Sequence, residues 1–531
     1  MTMTGLTERI SRLCLWGAMT VMASTAAALD IDQTMDEATA RAMLTRFGYG
    51  ADSASLAAAV QETPRQYLMQ AITGASRLPA GISQQIAAMP ISMPIEQVWD
   101  AYGPGGSERP SQQDIEAKKA LEKIERSYLV AAIQARMLTM ANSDNPGHEA
   151  LLSFWLNHFS IFGQKSFDKL LAWDYSRALD RAMADDSFAS LLRASFFHPA
   201  MQVYLDNARS TAPDSMMAYQ ARQRGKSLGL NENLARELME LHTLGVDAGY
   251  SQQDVQELAR IITGAGVYAP RMRQQALDRA EATRKGLFLF DPRRHDYGGK
   301  TFLGQAFPAG HGLDEIDRAL DILAASPATA HHIALQLAQR FLADDPPKTI
   351  VDAMAAAYTH SRGRISATLM PLLESREFTA SLTRPAKFKE PIDYVISASR
   401  LACSGQPIGN GRLLAATARD MGEAPFLHTT PDGYGVREAD WLSPPAMAKR
   451  SRFAMAAAAQ RLPLADAAPD SAGDADSAKQ AGAKGVACKP DAALIADLIG
   501  PMSSDTVAAG QGLSAQQRIA LYLASPEFMN R

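Results

Sequence analysis

Between Ser111 and Met140 the chain reads "SQQDIEAKKALEKIERSYLVAAIQARMLTM". Ala117, Leu121, Ile124, Tyr128 and Ala131 recur at alternating steps of four and three, the spacing of one face of an α-helix. Ser111-x-x-Asp114 stands before the run as a capping pair, and "NSDNPG" stops it. An apolar helix is expected from about His148 in "HEALLSFWLNHFSIF". "SQQDVQELARIITG" opens on a second pair, Ser251-x-x-Asp254, buries Val255, Leu258, Ala259 and Ile262, and ends at Gly264. Further helices are expected over 313–325, 328–343, 348–361, 364–375 and 386–402. Aromatic residues make up only 7% of the chain while Ala, Leu and Met abound, a bias toward helix.

One stretch departs from helical spacing. "GLFLFDPRRHDYGGKTFLG" alternates Leu287 and Leu289 with Phe288 and Phe290, turns through Pro292 to Gly299 and continues through Phe302. It predicts a small β-hairpin insertion near 286–304. The fold class is therefore mainly α, a large helical domain with that one insertion.

The ends and joints carry their own signals. Arg9 and Arg12 precede an apolar run from Leu13 to Met22, and Ala26 and Ala28 supply small residues. That order is a secretory signal peptide over 1–28, cleaved near Ala28, and it predicts a periplasmic or extracellular protein. The main helical domain then spans 29–462, with loose segments at 79–113 and 207–230. Residues 463–487 are poor in bulky apolar side chains and read as a low-complexity linker. Residues 488–531 form a C-terminal helical segment expected to pack back on the main domain. After cleavage only Cys403 and Cys488 remain, either as one disulfide or as two separate thiols.

Composition narrows function by exclusion. The chain has 531 residues and a formal charge of -4, so no basic excess points to nucleic acid. There is no G-x-S-x-G, P-loop or H-E-x-x-H pattern. The densest polar segment is "NENLARELMELHTLGV" at 231–246. Asn231 is the expected N-cap and Gly245 the C-terminal glycine, followed by a packing contact from Val246, which sets a helix over 232–244. At about 100° per residue, Asn233, Arg236, Glu237 and Glu240 share one stripe beside Leu234, Leu238 and Leu241. His242 falls on the leucine side.

Three readings of the stripe stand open. Arg236 pairs with Glu237 and Glu240 on a solvated face. Alternatively, Glu237 and Glu240 act as acid and base, with Arg236 tuning them or orienting a carboxylate or hydroxyl. In the third reading the carboxylates bind a metal together with residues from elsewhere.

The same segment, continued through "DAGYSQQDVQELARIITG", resembles the signature of a bacterial family, the domain of unknown function numbered 1800. "ARAMLTRFGYG", "FWLNHF", "HPAMQVYLDN", "RRHDYGGKTFLG", "PATAHHIALQLAQRFLADDPP", "RPAKFKEPIDYVISASR", "PDGYG" and "LASPEFMNR" are similar to the same family. The resemblance covers nearly the whole mature chain. It implies an exported helical protein of unknown activity, with a partner from the exported domain of unknown function numbered 1501. No cofactor follows from it. Ala265 stands where the family tends to an aromatic, and Ala42 and Met43 stand where a His is usual.

These segments add binding candidates His158, His198, Asp206 and Asn207, and catalytic candidates His295 and Asp296. Each has a plainer role. His158 suits a hydrogen-bonded core position, His198 a helix cap before Pro199, Asp206 and Asn207 a turn. His295 and Asp296 sit in the expected hairpin turn, and His331 and His332 at a helix start facing solvent. The reading that follows is an exported enzyme acting on a cell-surface or extracellular polymer through carboxylate acid/base chemistry. The alternative is a non-catalytic scaffold or binding component of an exported assembly.

Overall fold

In the computed structural model the described residues are 28–111, 114–270, 272, 282–383, 387–465 and 486–531. Most of the expected 1–28 signal segment and most of the expected 463–487 linker lie outside them. The architecture is mainly α; one large hydrophobic core cluster runs from Ile31 to Met529, with a small satellite of Val98, Tyr128 and Leu170. No helix among the described residues is long and apolar enough to cross a membrane.

The long helix Ile115–Asn142 is the spine. Its cap is Asp114, whose carboxylate accepts from Ala117 N, not Ser111 as the spacing predicted. Helices Pro146–His158, Asp168–Met183, Pro391–Cys403 and Gly411–Asp420 pack on it. Helix Pro146–His158 starts two residues before the expected His148 because Asn145 caps it and Pro146 fills the first position. Its Trp155 and the following Phe159 are fully buried, each a contribution of roughly 1.5–3 kcal/mol or more. Helices Leu313–Ala325, Pro327–Phe341, Lys348–Ser361, Ile365–Leu373 and Pro391–Cys403 match the expected later helices to within a few residues.

Two expectations are corrected. The segments 79–113 and 207–230 are not loose throughout: helices Ala80–Ala87, Ile95–Tyr102 and Met216–Gln223 lie in them. Val98 and Trp99 anchor the second of these, and Ala218 and Ala221 the third. Small or few apolar anchors hid both from a periodicity search.

The β segment is also different from the single hairpin predicted. Strands β1 (Ala265–Val267), β2 (Thr283–Lys285) and β3 (Phe288–Phe290) form an antiparallel sheet in the order β1-β3-β2. Phe290 faces Ala265 on one side and Thr283 on the other. Strands β4 (Lys300–Phe302) and β5 (Gln305–Phe307) form a second hairpin. The two-residue turn Leu303–Gly304, with φ 47° and 74°, closes it locally. Pro292–Arg294 forms a 3-10 turn between the sheets, so the 287–290 strand never meets the 300–302 strand.

The C-terminal segment carries helices Ala492–Ile499, Ser504–Gly510 and Ala515–Leu523. Tyr394 Oη donates to Leu523 O, and Cys403 and Cys488 are joined in a disulfide.

Candidate functional site

Helix Asn233–Glu240 packs on helix Gln252–Ile261, which opens on the Ser251–Asp254 capping box. Leu234, Ala235, Leu238 and Met239 are buried against the core, while Arg236, Glu237 and Glu240 are half-buried and Asn233 is exposed. Asn231 caps the start, its Oδ1 accepting from Asn233 N at 2.9 Å.

The helix is shorter than the predicted 232–244. Leu241 N and His242 N both donate to Glu237 O, Thr243 Oγ1 donates to Leu238 O, and Gly245 N donates to Met239 O. Unwinding there turns His242 and Thr243 fully into the core. Gly245, at φ 89°, makes the reversal. Val246 is 65% exposed rather than buried against the helix end as expected.

Arg236 pairs with Glu240 at 3.4 Å and with Glu232 at 3.3 Å, and donates to Gln252 at 2.9 Å. It does not pair with Glu237. Glu237 is thus the unpaired carboxylate of the stripe: no hydrogen bond or ion pair reaches it among the described residues. Burial raises its pKa, and the charges of Glu240 and Asp432 push the same way against Arg236.

Asp432 belongs to "PDGYG", and this loop is held from beneath by Asn157 of "FWLNHF". Asn157 Nδ2 donates to Tyr434 O at 2.9 Å and Tyr434 N donates to Asn157 Oδ1 at 2.8 Å. Between them Gly433 sits at φ 72°, and a Cβ there would lie 2.4 Å from Asn157 O. Only glycine fits so close a backbone approach in that conformation. The loop also takes the Tyr204 hydroxyl, which donates to Thr429 O at 3.0 Å. Tyr204 is pushed well above its ordinary range by burial first, then by Asp432, Glu237 and Asp168.

Asp206 lies in the left-handed region at φ 59° and pairs with Lys165 at 2.8 Å; Lys165 also donates to Tyr204 O. Asp168 is completely buried, with no hydrogen-bond partner for either oxygen among the described residues, and burial holds its pKa well above the carboxylate range. On the other flank burial and Glu240 push the Tyr250 hydroxyl up to about 12. Electrostatic influence therefore links Glu237 with Glu240, Asp432 and Tyr204, and Lys165 ties Asp206 to Tyr204. Of these the sequence reading named Glu237, Glu240 and Asp206. Tyr204 and Asp432 stood inside quoted segments, and Lys165 and Asp168 follow "FWLNHF" at a spacing of three.

The other nominated residues sit in structural roles elsewhere. His295 is buried, its Nδ1 against Thr263 O at 2.8 Å and its Nε2 3.4 Å from Glu315, which pairs with buried Lys300. Asp296 is held by the Arg260 guanidinium at 2.8 and 3.2 Å, which lowers its pKa against the effect of burial. No interaction links His295 or Asp296 to Glu237 among the described residues. Together they clamp the segment before β4 onto helix Gln252–Ile261. Asn207 is fully buried and donates to Gln202 at 2.7 Å. His198 caps helix Pro199–Tyr204 through Ala200 N and meets Asp174 at 3.0 Å.

His158 bonds Gln336 at 2.6 Å and His242 O at 3.1 Å. His332, expected on the surface, instead turns inward to Leu241 O at 3.0 Å, while His331 is exposed. Burial, then the charge of His332, keeps His158 down at about 4, and burial with His158 and His332 keeps His242 well below 6.5. No group of three or more His, Cys, Asp or Glu among the described residues is placed to hold a metal ion.

Behind the loop lies a cavity of about 70 Å³ walled by Arg136, Arg340, Glu390, Asp393, Glu423 and Tyr434 among others. Arg340 donates to Glu390 at 2.5 Å and to both oxygens of Asp393, and Arg531 reaches the same two carboxylates. Three separate family-like segments meet in this network. None was nominated from the sequence, because residues separated by 50 to 191 positions leave no spacing to read.

The family model described as "Protein of unknown function (DUF1800)" matches residues 42–530. The chain belongs to that family. No curated protein and no solved structure matches it.

Proposed function

We propose that this is an exported enzyme that acts on a neutral, hydroxyl-rich polymer at or beyond the cell surface, with Glu237 as the proton-donating carboxylate. The observation that supports this most directly is the state of Glu237 itself. It is half-buried and unpaired among the described residues, and burial with its acidic neighbours raises its pKa, the direction that a general acid requires. Glu240, tied to Arg236, is the second carboxylate. The acidic rim of Glu237, Glu240 and Asp432 disfavours anionic polymers, and the half-buried Tyr250 ring beside it suits the apolar face of a sugar. The disulfide agrees with an oxidising compartment, and the signal-like segment with export.

The test is hydrolysis of a panel of neutral and uronic-acid glycans by the mature protein. Glu237→Gln is expected to lower kcat by roughly 10²–10⁴-fold with the fold intact. If Glu237→Gln and Glu240→Gln both leave turnover unchanged, the assignment is wrong. N-terminal sequencing of the exported chain is expected to begin just after Ala28; a chain that begins at Met1 removes the export reading.

One observation favours a second reading, a binding component paired with a protein of the domain of unknown function numbered 1501. Met216 and Tyr219, one turn apart on helix Met216–Gln223, are 60% and 58% exposed. Co-purification with that partner, abolished by Met216→Lys with Tyr219→Lys, would establish it; a chain that runs alone at any salt removes it.

A further inference from the structure

Three lysines among the described residues are buried: Lys300, Lys387 and Lys389. Lys300 is matched by Glu315, and Lys387 by Asp344 and Val436 O. Lys389 is 3% exposed and, among the described residues, has no carboxylate or hydrogen-bond acceptor on its ammonium. Its Nζ stands 3.8 Å from the centroid of the Phe528 ring. The backbone is fixed on both sides, Lys389 N donating to Met529 O and Lys389 O accepting from Arg450. Lys389 lines a cavity of about 20 Å³ with Thr45, Gly50, Ser397, Leu498 and Glu527. That is room for one or two water-sized molecules.

The charges around it are mixed. Asp393 favours the ammonium, whereas Arg531 and Arg450 oppose it. Glu527 in the cavity wall is already engaged by Ser503 and Thr506. Burial dominates, and the amine is lowered to about 7. A desolvated lysine beside other cations is an activated nitrogen nucleophile.

We propose that Lys389 is a carbonyl-reactive amine, a site at which a one- or two-carbon aldehyde condenses with Nζ to a Schiff base. The Nζ lone pair forms a bond to the carbonyl carbon and one N–H proton passes to the oxygen. The carbinolamine then expels water, so a C=N bond replaces C=O with no oxidant or reductant. This site is independent of Glu237.

The test is reductive methylation of the folded full chain with formaldehyde and cyanoborohydride, read residue by residue by peptide mass spectrometry. Lys348, whose side chain is 81% exposed, is the internal reference. At pH 7 Lys389 is expected to react at least tenfold faster than Lys348. That advantage is expected to vanish toward pH 10 and in the unfolded chain. In Lys389→Arg the fast site is lost while labelling of Lys348 is unchanged. Lys389 reacting no faster than Lys348 at pH 7, or staying unmodified after the exposed lysines are consumed, overturns the proposal.

Discussion

Replacing Arg340 by Met tests the buried ion network that ties the helix Pro327–Phe341 to the segment before helix Pro391–Cys403. In the native chain two arginines, Arg340 and Arg531, face two carboxylates, Glu390 and Asp393, all at most 11% exposed in their side chains. The Met side chain fills much of the volume but leaves both carboxylates to Arg531 alone. One buried negative charge is then uncompensated, and three hydrogen bonds are lost. Breaking a buried pair from one side costs about 3–5 kcal/mol, more than the two-sided removal of charge. Arg340→Met with Glu390→Gln restores the balance and is expected to recover a large part of that loss. Urea unfolding followed by near-UV circular dichroism measures it as a fall in midpoint at constant slope. The pH dependence has a definite sign. Asp393 is held below its ordinary value by Arg340 and Arg531 against the opposing effect of burial, so the network stabilises above about pH 4 and loses that contribution as pH falls below it. The charge argument fails if Arg340→Met costs under about 1 kcal/mol, or if the double variant is no more stable than the single one.

Other outcomes are expected. His158 and His242 are uncharged in the fold and would be charged in the unfolded chain below about pH 6.5. Stability should therefore be full above that pH and fall by up to about 3 kcal/mol for His158 alone as pH drops toward 4; a flat melting temperature across this range contradicts it. Because neither ring nitrogen of His242 has a hydrogen-bond partner among the described residues, His242→Leu should be neutral or stabilising at pH 6, and a loss above about 2 kcal/mol would refute that. Gly433→Ala should destabilise by roughly 1–3 kcal/mol, read by thermal melting, through its positive φ and the clash with Asn157 O. Reduction of Cys403–Cys488 should lower stability by about 2–4 kcal/mol, and an unchanged melting temperature with dithiothreitol would contradict it.

The helices were legible where periodicity and caps coincide, as at Ser251–Ile261. They were missed where the anchors are few, as at Met216–Gln223. The stripe of Glu237 and Glu240 could be read because a helical wheel is local. What could not be read was that Thr243 and His242 break the helix to reach the core, or that Arg236 prefers Glu232 to Glu237. His295 and Asp296 drew attention as polar turn residues, but Arg260 and Glu315, their partners from other elements, make them clamps. The convergence of Tyr204, Asp432 and Glu237 spans well over 200 residues of sequence. It is a product of tertiary packing that no spacing encodes.

The disulfide closes a loop that holds Glu423, "PDGYG" and the linker-like 466–485 stretch between its two cysteines. Any single peptide-bond cleavage between residues 404 and 487 therefore leaves two pieces that migrate as one until they are reduced. Processing in that interval would be invisible on a non-reducing gel. It would also keep the arginine at position 531 covalently attached to the body whose carboxylates it neutralises.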